Sequence, residues 1–109
     1  MKIKNLTLML AFCALTAPFL SQAQSASAQA ALYTRSLAAT CANCHGTDGK
    51  AVQGASVGAL AGLDKNYLAV QLKAFKSGAQ PATVMHQISK GYSDAQIDTL
   101  ASYFAAQKK

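Results

Sequence analysis

The sequence predicts a small all-α domain. No stretch alternates apolar and polar residues with the period of a strand, while three segments combine helix-forming composition or a helical apolar repeat with recognisable ends. The length of 109 residues leaves room for one domain and no second folded unit. The N-terminus reads separately, as an address. Lys2 and Lys4 precede an apolar run from Leu6 to Leu20, followed by small residues at the spacing of a leader-cleavage site. A signal peptide is expected over residues 1–23, with cleavage after Ala28 as the second fitting point, leaving 29–109 as the folded domain. The apolar run is shorter than the roughly 20 residues of a membrane span and is followed by polar Gln and Ser, which favours removal over anchoring. Cys13 lies inside that run behind the bulky Phe12, a poor setting for lipidation, and goes with the leader.

The first helix is expected over Ala30 to Ala42, a stretch of strong helix formers without Gly or Pro that runs straight into a pair of cysteines. Gly46 to Gly62 holds five glycines and no steady period, and reads as an irregular loop able to pass close to a flat group. Asp64 is placed to cap a second helix over Lys65 to Ser77, with Gly78 as its terminator. On that helix Tyr67, Leu68, Gln71, Leu72, Ala74 and Phe75 share one side, and Lys65, Lys73 and Lys76 fall opposite, as a solvated face. Pro81 then breaks the chain into a loop carrying Met85. Ser93 and Gln96 form a capping box that opens a third helix, in which Ile97, Leu100, Ala101 and Phe104 recur on one face. Lys108 and Lys109 suit the negative end of its dipole.

Composition says that this chain needs help to fold. Cleavage after Ala28 leaves 81 residues with 8 basic and 4 acidic side chains, and only 15 of the 81 are Leu, Val, Ile or Phe. That is just under the roughly 20% at which chains begin to struggle for a core, so a staple is required. The surviving cysteines, Cys41 and Cys44, are too close together for a disulfide to serve as one.

Cys41, Ala42, Asn43, Cys44 and His45 spell the C-x-x-C-H pattern of covalent haem attachment. On one helical turn two thiols three residues apart face one side, where they can add to the two vinyl groups of a porphyrin while the adjacent His reaches the iron. A structural zinc site would have to use Cys41, Cys44, His45 and His86, two of them sequence neighbours, around one small ion. A thioredoxin-like pair needs a preceding strand, which is missing here. Iron in an electron carrier takes a ligand on each face, and Met opposite His raises the potential. Met85 is the one Met left after cleavage, and His86 the one other His. Met85 is the expected ligand. For His86, solvent or a haem propionate is the default and ligation the minor option.

The segment from Ala38 through Cys41, Cys44 and His45 to Gly49 resembles the haem-binding opening of short bacterial class I c-type cytochromes. The likeness continues through Leu60–Leu63, Tyr67–Leu68, Phe75–Gly78, Pro81–Met85, Gly91–Asp94 and Leu100–Phe104, nearly the whole mature chain. Met85 to Asp94 is similar in particular to the cytochrome subunit of flavocytochrome c sulfide dehydrogenase. The family commonly places a Pro two residues before the Leu of its Leu-Ala-Gly stretch, its carbonyl orienting the ligand His. Here that position is Gly58, where a looser carbonyl is expected.

The resemblance implies a small class I cytochrome c fold, helices wrapped around one covalently bound haem c. Cys41 and Cys44 would bind the haem covalently, and His45 and Met85 would be the axial ligands of its iron. It implies an electron carrier, not an enzyme, exported to the periplasm and cycling between Fe(II) and Fe(III). Its redox partner would be a flavoprotein sulfide dehydrogenase subunit. Two alternatives stand beside this: a freely diffusing cytochrome serving another dehydrogenase or a terminal oxidase, and a gas-binding or sensing haem protein with an open sixth site. Nucleic-acid binding is disfavoured, because a mature excess of four basic groups shrinks further against two propionates. Arg35, Tyr67, Tyr92 and Tyr103 carry no assigned role.

Overall fold

The computed structural model describes residues 17–109. The start of the expected leader, with Lys2, Lys4 and Cys13, lies outside these residues. The chain divides after Tyr33 into two units. The described part of the first, residues 17–33, is helical throughout, with residues 23–33 exposed.

Helix α1 spans Ala17–Ala39. It reaches further back than expected and stops three residues short of Ala42, for a local reason. The Thr40 hydroxyl donates to the Leu37 carbonyl at 2.7 Å, and Cys41 N–H turns back to Ala38 O at 3.1 Å, tightening the last turn. A separate short helix, α2 (Ala42–His45), then carries the second cysteine and the histidine. Part of the expected irregular loop is a single 3₁₀ turn at Thr47–Gly49.

The other expected helices start where their signals stand, but the last one ends at Ala105 with no basic residue in its last turn, short of Lys108 and Lys109. Helix α3 (Lys65–Ser77) is capped by Asp64, whose carboxylate accepts the Tyr67 N–H at 2.9 Å, and ends at Gly78 in the left-handed conformation. Helix α5 (Asp94–Ala105) opens on the full capping box: Ser93 Oγ accepts from Gln96 N–H, and Gln96 Oε1 accepts from Ser93 N–H at 2.8 Å. Between them, α4 (Met85–Lys90) is a short helix where the sequence pattern predicts a loop. The helical stretch begins as soon as Pro81 is four residues behind, so Met85 sits on the first turn of a helix.

In residues 34–109 the core is the predicted face of α5 closed over α3. Ile97, Leu100, Ala101 and Phe104 are all buried, with Leu68 of α3 and Ala38 at the end of α1. Leu37, Leu60, Leu63 and Leu72 flank this cluster. Two ion pairs cross-link α3 to α5, Lys73 to Asp98 at 2.8 Å and Lys76 to Asp94 at 2.7 Å. The expected lysine face stays at the surface, and two of its three lysines reach across to carboxylates of α5 in exposed ion pairs. Tyr67, expected on the inward side, is 54% exposed. The spacing that put it there is a projection on one helix, and the partner helices cover only part of that arc. Among the described residues there is no strand, and no helix is long and apolar enough to cross a membrane.

Gly49 joins this core to the loop before α3. It is buried, with φ +74°, and a β-carbon there would stand 2.8 Å from Phe104 Cδ1 and 2.9 Å from Leu60 Cβ. Its carbonyl accepts both Leu60 N–H (2.8 Å) and Ala61 N–H (3.1 Å), while Gly62 N–H reaches Phe104 O at 2.9 Å. The loop is thus strung between a glycine and the end of α5.

Candidate haem-binding site

Cys41, Cys44 and His45 lie together on the turn that leads into and through α2. Cys44 N–H and His45 N–H both reach back to Cys41 O, at 3.3 and 3.0 Å. Both cysteines are free thiols, Cys44 exposed and Cys41 half-buried. Burial pushes the unattached Cys41 thiol above its ordinary pKa. Gly46 then turns the chain sharply at φ +79°. A β-carbon there would run into the Lys50 carbonyl at 2.1 Å, which reserves the position after the histidine for glycine.

The histidine is oriented by the backbone. His45 Nδ1 lies 2.7 Å from the Gly58 carbonyl. A carbonyl only accepts, so Nδ1 carries the proton and Nε2 is left with the free lone pair that a metal requires. The carbonyl expected to be loosely placed is in hydrogen-bond contact, because the Gly49 bonds to Leu60 and Ala61 hold the loop two residues further on. The signal for it was the position of Gly58 alone. The Gly49 anchor that positions it had no signal in the sequence.

The polypeptide interior is small: among the described residues the large buried hydrophobic ones are Leu68, Ile97, Leu100 and Phe104, while Val52 (73%), Val70 (62%) and Val84 (55%) are exposed. A porphyrin would supply further apolar volume. The donor set fits that group: two free thiols one helical turn apart and an adjacent imidazole with its tautomer fixed. It does not fit zinc. Among the described residues no three of His, Cys, Asp and Glu come together as a metal site.

Met85 is on a different element, half-buried at the start of α4, which packs against α3. The segment that follows it is tied to the cysteine turn. Tyr92 OH lies 2.7 Å from Thr40 Oγ1, and Thr40 Oγ1 is 3.8 Å from Cys41 Sγ. His86 is half-buried, and its Nδ1 is enclosed with no protein partner, as is the hydroxyl of the fully buried Ser89 on the same helix. Tyr103 donates to the Asp48 carboxylate, whose own backbone is left-handed at φ +54°. That bond, which favours the neutral phenol, raises the Tyr103 pKa. Thr40 and Asp48 were not singled out in the sequence, and Tyr92 and Tyr103 were given no role. Their partners are 52 and 55 residues away, beyond any local pattern.

Small helices around a C-x-x-C-H turn, with the histidine steered by a backbone carbonyl, define the class of covalent haem proteins with a mono-haem c-type fold. The chain belongs to the cytochrome c family, whose model matches residues 30–108. It is 42% identical over 71 residues to a thiosulfate dehydrogenase electron acceptor of Thiomonas intermedia (strain K12), covering 65% of this chain and 33% of that one. A thiosulfate dehydrogenase electron acceptor of Stutzerimonas stutzeri (strain A1501) is 37% identical over 89 residues, 78% of this chain and 41% of the relative. The cytochrome subunit of sulfide dehydrogenase of Chlorobaculum tepidum is 36% identical over 73 residues, 67% of this chain and 64% of the relative. The chain thus spans between a third and two thirds of the length of these relatives. As a member of the family it binds covalently attached haem c.

Proposed function

We propose that this chain is an exported, periplasmic mono-haem cytochrome that takes electrons from a dehydrogenase oxidising an inorganic reduced sulfur compound. Residues 1–23 are a signal peptide, cleaved there or after Ala28, and 29–109 the cytochrome domain. Cys41 and Cys44 hold the haem through thioether links, and His45 and Met85 are its axial ligands. When bound, the haem supplies one-electron chemistry between Fe(II) and Fe(III). The protein contributes ligand identity, burial and orientation.

The observation that carries the ligand reading is the 2.7 Å contact of His45 Nδ1 with Gly58 O, which leaves Nε2 as the donor. For the partner, the reading favours a flavoprotein sulfide dehydrogenase subunit. Its support is the likeness of Met85 to Asp94 to the cytochrome subunit of such enzymes, together with the relative of that description in Chlorobaculum tepidum. A thiosulfate-oxidising donor is the second reading, favoured by the higher identity, 42%, of the Thiomonas intermedia relative.

The test is stopped-flow reduction of the oxidised protein with each enzyme and its substrate. Fast haem reduction by sulfide only in the presence of the flavoprotein supports the first reading, and fast reduction only with thiosulfate and its dehydrogenase supports the second. Equal rates with unrelated donors contradict both and return the chain to the class of general carriers.

A further inference from the structure

The hydrogen bond between Tyr92 and Thr40 joins the segment after α4 to the turn that carries the first cysteine. Thr40 has one hydroxyl proton, and it is committed to Leu37 O at 2.7 Å. Tyr92 must therefore be the donor in the 2.7 Å contact between the two hydroxyls. The junction stands beside Cys41, with Thr40 Oγ1 3.8 Å from Cys41 Sγ. Between Gln80 and Met85 the chain has few ties of its own. Gly78 and Gln80 N–H still bond back to Phe75 O and Ala74 O of α3, but beyond them Pro81, Thr83 and Val84 are exposed, and Val84 gives α4 no side-chain cap. Downstream, Tyr92 is half-buried against the core, and its hydroxyl ties that end to Thr40.

We infer that Tyr92 is a positioning residue for the sixth ligand: its bond to Thr40 latches the Met85 segment to the haem-attachment turn and keeps Met85 on the iron. The inference rests on the reading of Met85 as an axial ligand. Breaking the latch at Tyr92 leaves the ring packing and the helices in place and raises the fraction of molecules in which Met85 has let go. An outside ligand binds only that fraction, so its apparent affinity rises in proportion. A net hydrogen bond of about 0.5–1.5 kcal/mol corresponds to a roughly 2- to 13-fold increase.

The experiment is a titration of the ferric, haem-loaded protein with imidazole, followed by loss of the near-infrared charge-transfer band of methionine-bound iron(III). Tyr92→Phe and Thr40→Val should each tighten imidazole binding by that factor. The double variant should add little beyond either single change. Thr40→Ser, which keeps the hydroxyl, should stay near wild type. Tyr103→Phe is the matched control, because it deletes a hydrogen-bonded phenol on the other side of the sequence, at Asp48, and should leave imidazole affinity unchanged. Unchanged affinity in Tyr92→Phe, or an equal rise in Tyr103→Phe, overturns the latch alone. A wild-type ferric protein without the methionine band overturns the Met85 reading and the latch with it.

Discussion

The same substitution, glycine to alanine, should have opposite effects at two positions of one loop. At Gly49 the backbone is left-handed, and the added methyl would meet Phe104 Cδ1 at 2.8 Å, Leu60 Cβ at 2.9 Å and Ala61 N at 3.0 Å. Holding an L-residue there costs about 1–2 kcal/mol, and overpacking a filled site adds about 1–3 kcal/mol. Reduced freedom of the unfolded chain returns about 0.4–1 kcal/mol, leaving a net loss of about 3 kcal/mol. At Gly58 the backbone is not left-handed and an added β-carbon has nothing within 4 Å. Only the unfolded-state term remains, a gain of about 0.4–1 kcal/mol. In a domain of this size each kcal/mol moves Tm by about 4–8 °C. Gly49→Ala should therefore melt more than 10 °C below wild type, and Gly58→Ala a few degrees above it. The assay is thermal unfolding of the haem-loaded protein by far-ultraviolet circular dichroism. Two variants shifted in the same direction, or within about 1 kcal/mol of each other, would refute the argument that Gly49 anchors this loop to Phe104.

Three further outcomes follow from the site and its frame. Met85→Ala should lower the reduction potential and let the ferrous protein bind carbon monoxide; unchanged ligation spectra in this variant would exclude Met85. Ser93→Ala removes half of the capping box that starts α5 and should cost about 0.5–2 kcal/mol in denaturant unfolding. The Tyr103 to Asp48 bond stabilises the fold fully below the ordinary tyrosine pKa of about 10, because its folded value is raised. That contribution disappears as pH climbs through the raised value, and Tyr103→Phe should flatten this part of the alkaline stability profile.

What could be read from the sequence was local. Asp64 with Gly78, and Ser93 with Gln96, act within a few residues of themselves: α3 begins and ends, and α5 begins, as those signals say. The i, i+3, i+4, i+7 face of α5 became the core because a helix that starts at Ser93 has one way to present it. The C-x-x-C-H turn is local too. Interactions between elements stayed hidden: Lys73 to Asp98 and Lys76 to Asp94 span 25 and 18 residues, and α3 by itself shows the lysines at the surface but not their partners. The end of α1 was misread because the Thr40 hydroxyl competes for a helix carbonyl, an effect that composition does not weigh. Met85 was placed in a loop because Pro81 was read as a break, without the short helix that follows it.

The most direct test of the account is whether the pigment of the purified protein survives acidified organic solvent after denaturation. With thioether links at Cys41 and Cys44 the haem stays on the chain, and replacing both cysteines with alanine makes it extractable. Haem released from the wild-type chain, or a purified protein without a reduced-minus-oxidised haem spectrum, would contradict it.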